Sequence, residues 1–267
     1  MPALQALTRA QRALIRSLLH DRKTRTQEGA FVIEGAKSCL DLIRLHPHSI
    51  VSLTMSTRYL QDEPPVHREI RARLAARQFS CSDATFEKLS DVQAPQGLLA
   101  VVRQPQWGEA KVLGQARVLG IYGDQLRDPA NVGTIIRTAA ALNFTGVWLT
   151  PDSADCFSPK VVRATAGAIL TLPIFRTGEI DVFPGHDCSI YSALVPSSDT
   201  IPLREIRQIP SRLIIAVGNE GQGLSPDVVK LSRVRFSIPL AREIESLNVA
   251  ATAAIAAFYF SGLPAES

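Results

Sequence analysis

Leu213-Ile214-Ile215-Ala216-Val217 runs directly into Gly218-Asn219-Glu220-Gly221-Gln222-Gly223, and Ser225-Pro226 follows. Five consecutive apolar residues read as a strand covered on both faces, the pattern of a parallel sheet. The glycines turn the chain and expose backbone N–H groups to a ligand. Ser225 with Pro226 then opens a helix that has proline at its first position. Strand, turn and helix form the repeating unit of an open α/β sheet, whose ligands gather at such turns. The glycine spacing is not G-x-G-x-x-G, and no G-K-[ST] follows to make a Walker A loop. Dinucleotide and nucleoside-triphosphate binding therefore lose support, and a plain tight loop is the competing reading.

Two more turns of this kind flank the first in sequence. Asp128-Pro129-Ala130-Asn131-Val132-Gly133 precedes it, with Arg137 downstream, and Ser246-Leu247-Asn248-Val249-Ala250 follows it. A helix is expected to begin near Asn131, burying Ile135, Ile136, Ala139, Ala140 and Leu142, with Asn143 as a left-handed cap. Arg137 falls on that otherwise small and apolar helix. It calls for an anion there, either a substrate phosphate or an acid such as Asp124 or Asp128. Ile238-Pro239-Leu240 ends a strand, residues 241–245 form a loop, and Ser246 is expected to cap an alanine-rich helix whose small side chains permit close backbone approach. A fourth feature is Ser158-Pro159, which opens a helix carrying Lys160 and Arg163 at i, i+3 on one face. That pair is a phosphate contact or a solvated basic edge.

The alternation extends outward from these turns. Strands are expected at 118–122, 146–150, 190–194, 213–217 and 235–239, with helices at 131–142, 159–169, 226–231 and 246–260. The front of the chain alternates too. Strands are expected at 31–33, 50–54, 78–81 and 98–102, and helices at 8–20, 36–45, 66–77 and 85–89, which indicates a small α/β domain. The expected organisation is a front domain at 1–105, a linker at 106–115 around Gly108 and Gly114, and a second domain at 116–267.

Composition narrows the class. The chain has 267 residues, 46% of them hydrophobic and 20% charged, which suits globular domains with real cores. No apolar run approaches the roughly 18 residues of a membrane span, so no membrane partner is expected. Residues 1–105 hold 15 Lys and Arg against 10 Asp and Glu, while the remainder holds 14 against 15. A basic front half suggests a polyanion partner, most simply nucleic acid, with ordinary surface charge as the alternative. Cys39, Cys81, Cys156 and Cys188 form no C-x-x-C pair. That argues against a zinc or other metal site and against a disulfide scaffold; reduced thiols in a cytoplasmic protein are the plain reading. Residues 8–20 form an amphipathic helix with a capping box at Thr8 and Gln11. An arginine-rich, acid-poor start also marks organelle transit peptides, but this one runs straight into the expected fold.

Together these residues resemble the SpoU (TrmH-like) family of S-adenosylmethionine-dependent RNA ribose 2′-O-methyltransferases, within the SPOUT class. Its first motif resembles Asn131, Gly133 and Arg137; its second, Gly218-Asn219-Glu220-Gly221-x-Gly223; its third, Ile238-Pro239-Leu240 with Ser246-Leu247-Asn248-Val249. Ala250 departs from the small hydroxyl residue common in the family. The front half is similar to the family's fused substrate-binding domain through Lys23-x-Arg25, Phe31-Val32-Ile33-Glu34-Gly35 and Gln96-Gly97-Leu98-Leu99-Ala100. The resemblance implies an α/β fold with a mostly parallel sheet tied in a deep trefoil knot, behind a small α/β RNA-binding domain. It also implies a homodimer whose active site is completed at the interface.

Carried over residue by residue, it places the S-adenosylmethionine pocket at Gly218, Ile238 and Leu247, with Asn219 and Leu240 beside them and Leu194 at the end of the preceding strand. Asn131, Arg137, Glu220, Ser246 and Asn248 match the catalytic polar set. Lys23, Arg25, Lys160 and Arg163 are the candidate RNA contacts. The implied reaction is methylation of a ribose 2′-hydroxyl in structured RNA, ribosomal RNA ahead of transfer RNA. The competing readings are a catalytically silent RNA-binding homologue, methylation of a base, and a Rossmann oxidoreductase. The last lacks both its glycine fingerprint and its ribose-binding acid.

Overall fold

A computed structural model describes residues 4–241 and 245–266. The chain divides into two compact units: the residues up to Gln106 together with Phe157–Leu170, and Trp107–Cys156 together with the residues from Thr171 onward. Residues 157–170, expected in the second domain, thus count with the first unit.

The first unit contains β1 (Gln5–Ala6), α1 (Arg9–His20), α2 (Arg22–Glu28), β2 (Ala30–Glu34), α3 (Ala36–Leu45), β3 (Ile50–Ser56), α4 (Thr57–Gln61), α5 (Pro65–Ala72), β4 (Arg77–Cys81), α6 (Asp83–Glu87) and β5 (Leu98–Arg103). Its sheet runs β1-β4-β3-β5-β2, parallel from β1 to β3 and antiparallel from β3 through β5 to β2. Alternation along β2 and β5 sends Val32, Leu99 and Val101 into a core with Ile15, Leu18, Phe79 and Phe86. α1 opens on the expected capping box: Thr8 Oγ1 accepts from the Gln11 N–H at 3.3 Å, and Gln11 Oε1 accepts from the Thr8 N–H at 2.8 Å.

The helix expected over 66–77 stops at Ala72. Gln78 Nε2 donates to the carbonyls of Arg71 and Leu74 at 3.2 and 3.4 Å, satisfying the helix end. Arg77 is already paired with Ser52 in the sheet. Arg71 also donates twice to Glu63, at 2.8 and 2.7 Å, with both side chains buried. Removing one partner of such a pair costs about 3–5 kcal/mol, because the other is left as an unpaired buried charge.

The second unit contains α7 (Glu109–Leu113), β6 (Val118–Asp124), α8 (Pro129–Ala141) and β7 (Gly146–Leu149). α7 occupies part of the stretch 106–115 expected as linker. After α9 (Pro159–Ala164), which belongs to the first unit, come β8 (Ile174–Arg176), β9 (Ser189–Ala193), β10 (Ile201–Pro202), β11 (Arg212–Gly218), α10 (Pro226–Leu231), β12 (Val234–Ser237) and α11 (Val249–Ser261). The sheet order is β10-β12-β9-β11-β6-β7-β8, and every described pairing in it is parallel.

β11 lies between β6 and β9, with Leu213–Val217 buried throughout. Trp148 lies fully buried across the sheet, its indole N–H donating to Glu109 at 2.8 Å. Gly120 leaves room for it, since a Cβ there would meet the indole at 2.5 Å. α8 ends as expected: Asn143 has φ 57°, and the next amide, Phe144 N–H, reaches back to the Ala139 carbonyl at 2.9 Å. Among the described residues no helix is long and apolar enough to cross a membrane.

Candidate active site

The parallel strands β6, β9, β11 and β12 all end at the same edge of the second unit's sheet, and the glycine turn after β11 is built there. Asn219 and Gly223 exchange backbone hydrogen bonds at 3.0 and 2.8 Å, closing a tight loop. Asn219 Oδ1 accepts from the N–H groups of Gly221 and Gln222 at 2.8 and 3.2 Å, and its Nδ2 donates to the Gln125 carbonyl at 3.0 Å. The Asn219 side chain is thereby used up in holding the loop to the end of β6. Asp124, 3% exposed, anchors the other side by accepting from the Ser225 N–H at 2.7 Å. Gly218 admits no side chain: a Cβ would sit 2.3 Å from the Gly223 backbone. Two residues before Asp124, Tyr122 packs edge-on against Phe183. Burial, with the Asp124 charge second, pushes its hydroxyl up to about 12, so it stays a neutral phenol and no base near neutral pH.

Beside this loop opens a cavity of about 500 Å³. Leu194, Ile238, Leu240, Leu247 and Val249 supply apolar wall, the 218–224 loop supplies backbone, and Glu220, Glu245, Ser246 and Thr252 supply polar groups. All six residues expected around a cofactor, namely Leu194, Gly218, Asn219, Ile238, Leu240 and Leu247, line this one space. Thr252 was missed, although it is the single polar side chain between Val249 and Phe258. The loop expected at 241–245 lies largely outside the described residues.

Three of the five expected catalytic residues form a directed chain. Asn248, not Ser246, caps α11, its Oδ1 accepting from the N–H groups of Ala250 and Ala251 at 2.9 and 3.2 Å. Its Nδ2 is left to donate to Asn131 Oδ1 at 3.0 Å. Asn131, 8% exposed, then turns its own Nδ2 to the Glu220 carboxylate. Ser246 is exposed in the preceding loop and lines the cavity.

Arg137 stands apart. It is exposed on α8, does not line the cavity, and makes no hydrogen bond or ion pair to any described residue. The expected acid partners are occupied otherwise: Asp124 holds Ser225, and Asp128 caps α8 through the Ala130 N–H at 2.9 Å.

The expected RNA contacts lie in the first unit and divide sharply. Lys23 and Lys160 are exposed. Arg25 is a correction: it is 5% exposed, and its Nη1 donates to the carbonyls of Leu18 and Leu19 at 2.6 and 3.2 Å. It satisfies the end of α1 instead of facing solvent. Arg163 is exposed but paired with Asp91 at 2.9 Å. Among the described residues no three His, Cys, Asp or Glu side chains converge to hold a metal ion.

Residues 119–258 match the model of the SpoU rRNA Methylase family, and residues 15–100 match an MRM3-like substrate binding domain. An uncharacterized tRNA/rRNA methyltransferase of Synechocystis is 32% identical over 92% of this chain and 90% of its own. The 23S rRNA (guanosine(2553)-2'-O)-methyltransferase RlmP of Bacillus subtilis is 29% identical over 91% of this chain and 93% of its own. The fold matches the SpoU methyltransferase AviRb of Streptomyces viridochromogenes, solved with the cofactor AdoMet, with TM-score 0.82 at 23% identity over 94% of this chain and 97% of that one.

Proposed function

Because this chain belongs to the SpoU rRNA methylase family, we propose that it methylates a ribose 2′-hydroxyl of structured ribosomal RNA, using S-adenosylmethionine. The observation that carries this reading is the cavity itself. Its volume of about 500 Å³ falls in the range of small-molecule sites, which runs from about 300 to 1,000 Å³. Apolar walls from Leu194, Ile238 and Leu247 suit an adenine ring, and the glycine loop offers backbone groups to its ribose. The directed chain of Asn248, Asn131 and Glu220 ends on a carboxylate at the cavity wall. The relatives' 23S rRNA specificity, with the substrate-binding family match, favours ribosomal over transfer RNA.

When bound, S-adenosylmethionine supplies a methyl group already activated on a sulfonium, so the protein's work is alignment. Glu220 accepts from Asn131 and is held in a fixed orientation beside the cavity. In this reading it orients the ribose, and Ser246 and Asn248 shape the loop against which the sugar lies. A guanidinium such as that of Arg137 is a poor base. The exposed Arg137 side chain grips the phosphate next to the target and stabilises the 2′-oxygen as it bonds the methyl, the sulfonium S–C bond breaks and the hydroxyl proton passes to water. Label transfer from S-adenosylmethionine to unmodified ribosomal RNA tests both claims. Wild type should transfer, and Arg137→Lys should keep partial activity with the same pH profile. No transfer by wild type contradicts the function; activity of Arg137→Lys that returns only in alkaline buffer contradicts the phosphate role.

The resemblance extends the reading to three further features. The first unit holds the RNA, and the second carries the chemistry. Two copies pair through α8 and α11, which pack together and leave Arg137, Ile255 and Phe258 exposed; Arg137 would then serve the partner's cavity. The sheet is tied in a trefoil knot, which the insertion of β11 between β9 and β6 supports. A backbone that pulls straight from both ends would contradict the knot.

A further inference from the structure

RNA binding is part of the function proposed above, and the following inference rests on it. α1 carries Arg9, Arg12, Arg16 and His20 at steps of three, four and four residues, all exposed. At about 100° per residue these four side chains leave the helix within about 80° of arc, along a line of about 16 Å. Leu18, on the opposite side, and Ile15 and Leu19, along one flank, are buried in the unit's core. The row is therefore fixed in orientation by packing on its back.

Five other cations of this unit are already occupied. Arg25 is buried on the carbonyls of α1, and Arg71 and Arg68 share the Glu63 carboxylate at 2.7 and 3.5 Å. Arg163 pairs with Asp91, and Lys37 with Asp41, both at 2.9 Å. No hydrogen bond or ion pair joins the side chains of Arg9, Arg12 and Arg16 to any described residue, and the sequence holds no Asp or Glu before Asp21.

Their placement also runs against the helix. Arg9 is the first residue of α1 and Arg12 lies in its opening turns. Free N–H groups make that end the positive pole, where cations are disfavoured. Arg9 and Arg12, like charges at the unfavourable end of a helix with no acid paired to either, are a local conflict that the fold leaves standing, and such conflicts concentrate where a ligand resolves them.

We propose that this face of α1 docks the phosphate backbone of the ribosomal RNA substrate, Arg9, Arg12 and Arg16 each taking a phosphate. Contacts of this kind set position and register on the RNA and carry no base specificity. The row lies mostly ahead of the stretch that matches the substrate-binding family, which begins at residue 15.

The test is binding of the full chain to an unmodified 23S ribosomal RNA transcript, at salt between about 50 and 200 mM. Three proteins are compared: wild type, a variant with Arg9→Gln, Arg12→Gln and Arg16→Gln, and a charge-matched variant with Arg103→Gln, Arg117→Gln and Arg207→Gln at exposed sites elsewhere. The α1 variant should bind at least about tenfold more weakly, and its slope of log affinity against log salt should fall by about 2 to 3. The charge-matched variant should keep the wild-type slope. An α1 variant with the wild-type slope, or equal losses in both variants, overturns the docking row while leaving the methyltransferase reading intact. Wild type that fails to bind the transcript overturns both. Unchanged thermal melting and far-ultraviolet circular dichroism certify the fold of the α1 variant, and Arg12→Gln alone, with a slope change of about 1, replaces the triple if either is lost.

Discussion

Asn248 does two things with one amide. Its oxygen caps α11 and its nitrogen reaches Asn131, so the helix N-terminus decides which way the amide points. Asn131 must then present its own nitrogen to Glu220. Asn248→Asp separates the two tasks, because Asp caps a helix about as well as Asn but cannot donate to Asn131. Thermal stability should stay near wild type, while turnover on RNA falls about tenfold or more, the scale of one lost buried hydrogen bond. Full turnover in that variant would show that the chain does not act in catalysis. The three motif residues were legible through their family pattern, but the choice between Ser246 and Asn248 as cap was not. Both are good capping residues, and only the path of the loop decides. Arg25 was misread for a similar reason. Nothing local to Lys23-x-Arg25 reveals that the carbonyls of Leu18 and Leu19 need a donor.

At the level of elements, long apolar runs such as Leu213–Val217 announced their strands, and the turns announced their helices. β1, β8 and β10 were not legible: each has only two or three residues, too few to show a period. α9 was legible as a helix; it counts with the first unit by packing, while the family match over 119–258 includes it. Phe157, just before it, packs tilted against Phe31 at 5.0 Å between ring centroids, and Val161, Val162 and Ile169 are buried. A chain begun at residue 107 would strip these residues of their cover. We expect such a truncation to aggregate or to unfold without a sharp transition. A cooperative melt with S-adenosylmethionine affinity equal to that of the full chain would contradict this, and would show that 157–170 does not need that cover.

Taken as a molecule, the chain keeps its cation excess in the half assigned to RNA and its cavity in the half assigned to chemistry. Its last helix leaves Phe258 73% exposed and Ile255 42% exposed, an apolar patch that a second copy would cover. Sedimentation should therefore give a two-copy mass, and Phe258→Glu a one-copy mass with little methyl transfer. A wild type that sediments as one copy while still active would remove the dimer from the account.

The central claim is that the second unit transfers methyl from S-adenosylmethionine to a sugar oxygen. Its most direct test is to incubate the full chain with methyl-labelled S-adenosylmethionine and unmodified 23S ribosomal RNA, then digest to nucleosides and locate the label by mass spectrometry. The account predicts a single 2′-O-methyl nucleoside with the label on ribose. Label on a base, or none from a protein that binds the RNA, would contradict it.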